Sequence, residues 1–160
     1  MSALDLALEL REAERAGVER PAEALFDHRL RSLTQPEFWP MRSRMESVCG
    51  RGPSAHPYSA GPEADCECGI WAFRAHLSAE RTLLDYAHSG RLLALGPVSL
   101  WGRLIEQELG WRAQFAYPLE LEIYGASEEV AADLGAAYGI EATSKPWPEP
   151  DALEPGTRAA

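Results

Sequence analysis

Three cysteines and one histidine stand close together in "CGRGPSAHPYSAGPEADCECG", residues 49–69. Cys49, Cys66 and Cys68 are all the cysteines of the chain, and His56 lies between the first and the last two. The spacing C-x6-H-x9-C-x-C offers three thiolates and an imidazole, a complete tetrahedral set for zinc, which favours sulfur and nitrogen. It is not the familiar C-x2-C knuckle, and Cys66 and Cys68 reach one ion only if the backbone between them bends. Gly50, Gly61 and Gly69 supply backbone freedom near the ligands. Two other readings stay open: free thiols that merely neighbour one another, and a disulfide or redox pair. Clustered cysteines in a reducing compartment more often bind metal or catalyse, so the cluster is read as a structural zinc site.

An iron–sulfur cluster would use the same thiols with one histidine. It ranks below zinc, because a closed set of three cysteines and one histidine is a standard structural zinc site. His28, His76 and His88 are alternatives to His56, although His76 and His88 fall on a predicted helix, where a surface role is the simpler reading. A catalytic zinc would keep an open position and a nearby general base. Glu63, Asp65 and Glu67 are close in sequence, yet they serve equally well as solvated loop residues. No nucleophile elbow, phosphate-binding glycine loop or HExxH motif occurs.

The elements around this loop follow from patterning. Residues 3–16 are rich in Ala, Leu, Glu and Arg and end at Gly17, which predicts a helix, although Leu4, Leu6, Leu8 and Leu10 do not share one helical face. "ALFDHRLRSL", residues 24–33, reads as a first strand, and Pro40 then leaves a short strand or turn leading into Cys49. Residues 70–89 read as helix, with Ser78 as an alternative cap for a helix starting at Ala79. "PVSLWGRLIEQ", "WRAQFAYP" and "LELEIY" alternate apolar and polar residues with period two, the mark of strands with one buried face. "EQELG" joins the first two as a hairpin, with Gly110 free to take positive φ, and Pro118 separates the second from the third. Ser127, Glu128 and Glu129 open a short helix that Gly139 ends, and Ile140 and Ala142 begin a last strand.

A chain of 160 residues with 46% hydrophobic and 25% charged residues has the size and composition of one globular domain. No stretch approaches the roughly 20 apolar residues of a membrane span, and "MSALDLALELREAERAG" lacks the features of a signal peptide. A cytoplasmic, membrane-free protein is the expectation. The net charge of −10 disfavours nucleic acid as a partner, since phosphate contacts need a cationic surface. Between His28 and Pro57, however, five arginines (Arg29, Arg31, Arg42, Arg44, Arg51) face two acids, which keeps a small anionic ligand in view. From Gln114 onward nine acids face two basic residues. In the hairpin, Trp101, Arg103, Trp111 and Arg112 could hold a flat or anionic ligand by stacking and charge. The simpler reading makes the aromatics core, with Arg103 and Arg112 paired to acids across the hairpin.

"WPMRSRMESVC", "CECGIWAF", "LGPVSLWGRLIEQELGWRAQFAYP" and "AADLGAAYGIEA" together resemble a family of small bacterial proteins with no assigned function. The resemblance runs from about Phe26 to Ala142. Leu104 stands where that family's hairpin pattern has Val. It implies that the cysteine loop and the hairpin belong to one domain, and it supplies no activity.

These readings combine into an α+β fold: a small antiparallel sheet packed against two or three helices, with a metal-clipped loop. Residues 1–20 form an N-terminal helix, 21–143 a single domain containing loop 49–69, and 144–160 a Pro-rich, disordered tail. The expected function is a zinc-stabilised binding or interaction module for a protein or small anionic ligand. The alternative is an enzyme using the loop as a thiol or catalytic-zinc active site.

Overall fold

Alternating segments dominate the chain, and the computed structural model turns them into one mixed sheet. It describes residues 4–14, 26–32, 37–52, 61–87 and 92–147. Eight strands and two helices follow in order: β1 (Leu4–Glu14), β2 (Phe26–Ser32), β3 (Met45–Glu46), β4 (Ile70–Phe73), α1 (His76–Ala87), β5 (Leu92–Glu106), β6 (Gly110–Pro118), β7 (Glu120–Tyr124), α2 (Glu128–Tyr138) and β8 (Glu141–Lys145). The α+β expectation holds. The sheet is larger than expected, and it is not wholly antiparallel, because β7 and β8 run parallel on either side of α2.

Long β5 organises the sheet. On one side Leu92–Val98 pairs with β1; on the other, β7 and then β6 lie end to end along it. Strand β4 pairs with the far side of β6 and meets β1 at Asp5↔Phe73, so β1, β5, β6 and β4 close a ring. The β5–β6 register shifts between Trp101 and Leu104, an irregularity that bends the hairpin there.

Two helices in the expected arrangement would have been 3–16 and 70–89, and both assignments need correction. Residues 4–14 are strand β1, hydrogen-bonded to β2 and β5. The alternation of Leu4, Leu6, Leu8 and Leu10 was the informative signal; the helix-forming composition around it is a weak prior that sheet pairing overrides. Ile70–Phe73 is strand β4, its burial alternating along the strand, and the helix starts only at His76. Gly110 does not take positive φ. It needs glycine for a different reason: a Cβ there would lie 1.9 Å from the Ala72 carbonyl oxygen of β4.

The hairpin and β7 appear where alternation put them, β2 falls within the strand expected over residues 24–33, and β8 follows where Ile140 and Ala142 were expected to begin a last strand. So does α2, with the Ser127 hydroxyl accepting from Val130 N–H and Gly139 left-handed at its C-terminal end. Strand β8 runs through Lys145, and Trp147 packs on Tyr124 with ring centroids 5.8 Å apart, so the first residues assigned to the tail belong to the fold. The rest of that tail lies outside the described residues.

Alternation along β5 sends its side chains into two cores. Ala94 and Val98 join Leu121, Ile123, Leu134 and Tyr138 beneath α2, while Leu93 and Leu95 meet Ala79 and Leu83 of α1. Tyr138 also ties α2 to the other end of the chain. Its hydroxyl donates to the Trp39 carbonyl at 2.9 Å and accepts from the Leu30 N–H at 3.0 Å. No helix among the described residues is long and apolar enough to cross a membrane.

Candidate metal centre

Strands β3 and β4 lie in line along one side of β6. Glu46 stands opposite Phe115, Ser47 N–H donates to the Gln114 carbonyl, and Ile70 stands opposite Ala113. The chain therefore leaves the sheet after Ser47 and rejoins it at Ile70, at two positions that are neighbours on β6. That is why Cys49, just after β3, meets Cys66 and Cys68, just before β4.

All three thiols are buried, at 4%, 7% and 7% relative exposure. Their sulfurs lie within 4.8 Å of one another, and Cys49 Sγ is 3.8 Å from Cys66 Sγ. No disulfide joins them. Two thiolates on one tetrahedral zinc, each about 2.3 Å from the ion, stand about 3.8 Å apart. A disulfide would demand about 2.05 Å. The donor set and its spacing fit a metal ion. His56 lies outside the described residues, and His76 is exposed on α1, as expected of a surface histidine.

Several contacts bend the loop into this shape. The Ser47 hydroxyl, buried, donates to the Gly61 carbonyl at 2.9 Å. Gly61 itself packs against Cys68, where a Cβ would stand 2.5 Å from the sulfur. Cys66 N–H donates to the Glu63 carbonyl, closing a turn. Gly69 takes φ +119, which suits glycine alone; Gly50 has neither that conformation nor a crowded Cβ position, contrary to its expected role. Glu63 pairs with Arg103 of β5, at the irregular part of the hairpin.

Arg112 completes the cradle. Its side chain comes from β6 and is 3% exposed. One terminal nitrogen donates to the carbonyls of both Cys66 (through a short contact) and Cys68, the latter at 3.0 Å. The guanidinium lies 5.3 Å from the ring centroid of Trp71, whose indole N–H donates to the Glu67 carbonyl. Two carbonyls with one residue between them, gathered on one nitrogen, supply the bend that two thiols spaced C-x-C require.

Burial pushes the Cys68 thiol up from its ordinary value; a hydrogen bond with the Glu63 backbone opposes this, and the neighbouring Cys66 and Cys49 add to the rise. A crowded, desolvated thiol such as that of Cys68 resists ionising by itself. A bound cation reverses that balance, because a coordinating thiol is deprotonated outright.

The four hairpin residues proposed for ligand binding sit in different surroundings. Trp101 is partly exposed and packs on Phe115, centroids 6.0 Å apart, with the Arg44 guanidinium 4.3 Å over the Phe115 ring. Trp111 lies beneath Arg74, 5.5 Å from its guanidinium, near the hairpin turn. Arg103 pairs with Glu63, an acid of the thiol loop. Arg112 engages carbonyls, and no ion pair to it exists among the described residues. Sequence reasoning missed the part played by Ser47 and Arg112 in the loop, since neither carries a local signal.

Comparison with protein-family models, with curated proteins and with solved structures finds no match in any of the three. The centre therefore has to be interpreted from its own geometry.

Proposed function

We propose that Cys49, Cys66 and Cys68, with His56 as the fourth ligand, hold a structural zinc ion. The loop so fixed makes this cytoplasmic domain a binding or interaction module for a protein or a small anionic ligand. The observation that carries the metal is the sulfur cluster: three buried thiols within 4.8 Å, one pair at the 3.8 Å separation that a tetrahedral thiolate site requires. Zinc is preferred over iron–sulfur because one imidazole closes the set and no further thiol exists in the chain.

A structural rather than catalytic role follows from burial. A thiol nucleophile needs solvent access and an electropositive, partly exposed setting, whereas these three cysteines are buried, with Gly61 packed against Cys68. The motif resemblance places the domain, within the same proposal, among small bacterial proteins of no assigned function. Its binding role rests on the patch beside the loop, where Trp101, Phe115 and Arg44 offer stacking and charge.

Thermal unfolding with and without a strong chelator tests the proposal. Chelation should lower the melting temperature and blunt cooperativity, because metal binding energy is folding energy for the loop. An unchanged melting curve would overturn it.

A further inference from the structure

A buried charge needs a partner, and Arg112 has none among the acids around it. The side chain is 97% covered, an arginine keeps its positive charge in proteins, and an unpaired buried charge is strongly unfavourable. Of the loop acids, Glu63 pairs with Arg103, while Asp65 and Glu67 are exposed. Residues 53–60, PSAHPYSA, contain no carboxylate. The Arg112 Nε also lacks a hydrogen-bond partner among the described residues. What does surround the guanidinium is the segment that carries two of the three thiols, with its carbonyls turned onto it.

We infer that Arg112 is the counter-ion and positioning residue of an anionic thiolate–metal centre. This rests on the metal reading above and deepens it. Three thiolates and one neutral imidazole around a divalent ion leave one net negative charge, and one buried guanidinium balances it. The same side chain fixes the bend between Cys66 and Cys68, so charge and shape are supplied together. Arg112 touches the ligand-bearing backbone without ligating the metal. The role explains why an arginine, rather than an apolar residue, occupies a covered position on β6 opposite Ile105.

The inference is tested by titrating Co2+ into reduced, metal-free wild type, Arg112→Lys and Arg112→Gln, following the thiolate-to-cobalt charge-transfer absorption. Circular dichroism on the same samples checks the fold. Loss of an outer-shell partner costs on the order of 10–100-fold in metal affinity. Arg112→Gln should show a loss in that range, and Arg112→Lys, which keeps the charge but loses the fork, a clearly smaller one. Equal losses for Lys and Gln would reduce Arg112 to a neutral peg and overturn the counter-ion role. Unchanged affinity in both would remove the positioning role as well. If the wild type itself shows no thiolate–cobalt band, the metal reading fails first, and the counter-ion role goes with it. Should the Gln variant not fold, Arg112→Lys decides: retention of wild-type affinity within about tenfold upholds the inference, and complete loss of the band with an intact fold refutes it.

Discussion

Around α2, large side chains bury one another in the ordinary way: Leu121, Ile123, Leu134 and Tyr138 are each at most 2% exposed, and Ser127 and Gly139 cap the helix. Around the thiol loop the buried cluster consists, among the described residues, of Cys49, Cys66 and Cys68. The first region holds itself together by removing apolar surface from water, worth about 1.5–3 kcal/mol for each large side chain buried. The second has three small side chains, a buried cation and a run of glycine and proline. Among the described residues of the loop, 49–52 and 61–69, little apolar burial offsets the entropy of ordering the backbone, at about 1–2 kcal/mol per residue. Those described segments, with so little buried apolar surface, need another source of order, and a metal clip is one that their own side chains can supply.

The contrast can be broken most directly at the loop. Cys66→Ser removes a central ligand and should abolish stoichiometric metal binding, exposing residues 49–69 to limited proteolysis while the fragment containing β5 to β8 stays protected. Equal cleavage of wild type and variant would erase the distinction between the two regions. On the other side, Leu134→Ala should cost about 2–5 kcal/mol in denaturant unfolding through the cavity it leaves. Its metal content should remain that of wild type, and a loss of metal would show that the regions are not independent.

A smaller effect concerns one phenol in each of the two apolar cores, Tyr138 beneath α2 and Tyr124 in the core that α1 covers. Burial raises the Tyr138 hydroxyl above its ordinary value, and burial with the nearby Glu122 carboxylate raises that of Tyr124. Both phenols thus stay protonated in the folded chain where the unfolded chain already ionises. Their contribution is complete below about pH 10 and is lost as the pH climbs beyond it. Tyr138→Phe should cost about 1–3 kcal/mol at neutral pH, leaving the Leu30 N–H and Trp39 carbonyl without their partner. It should also reduce the alkaline loss of stability, with Tyr124 keeping the remainder. An alkaline slope identical to wild type would contradict this account of Tyr138.

What was legible in the sequence divides along the range of the interactions. The hairpin strands, β7, α2 with its caps, and β8 rest on period and end signals carried within a dozen residues, and those signals were sufficient. The thiols were legible as a group because cysteine is scarce and they lie within one loop. In β1, helix-forming composition competed with a period-two pattern, and pairing with β5 decided for the pattern. In Ile70–Phe73, four residues were too few to stand apart from the helix that follows. Arg112 could not be linked to the loop at all, because its partner Cys66 lies 46 residues away and only the β4–β6 register brings them together.

The most direct test of the central claim is metal content by mass spectrometry on tag-free protein purified under reducing conditions, with reactive thiols counted on the same sample. One zinc per chain is expected, with thiols that become reactive only after the metal is stripped. A metal-free protein with all three cysteines reactive from the start would contradict it.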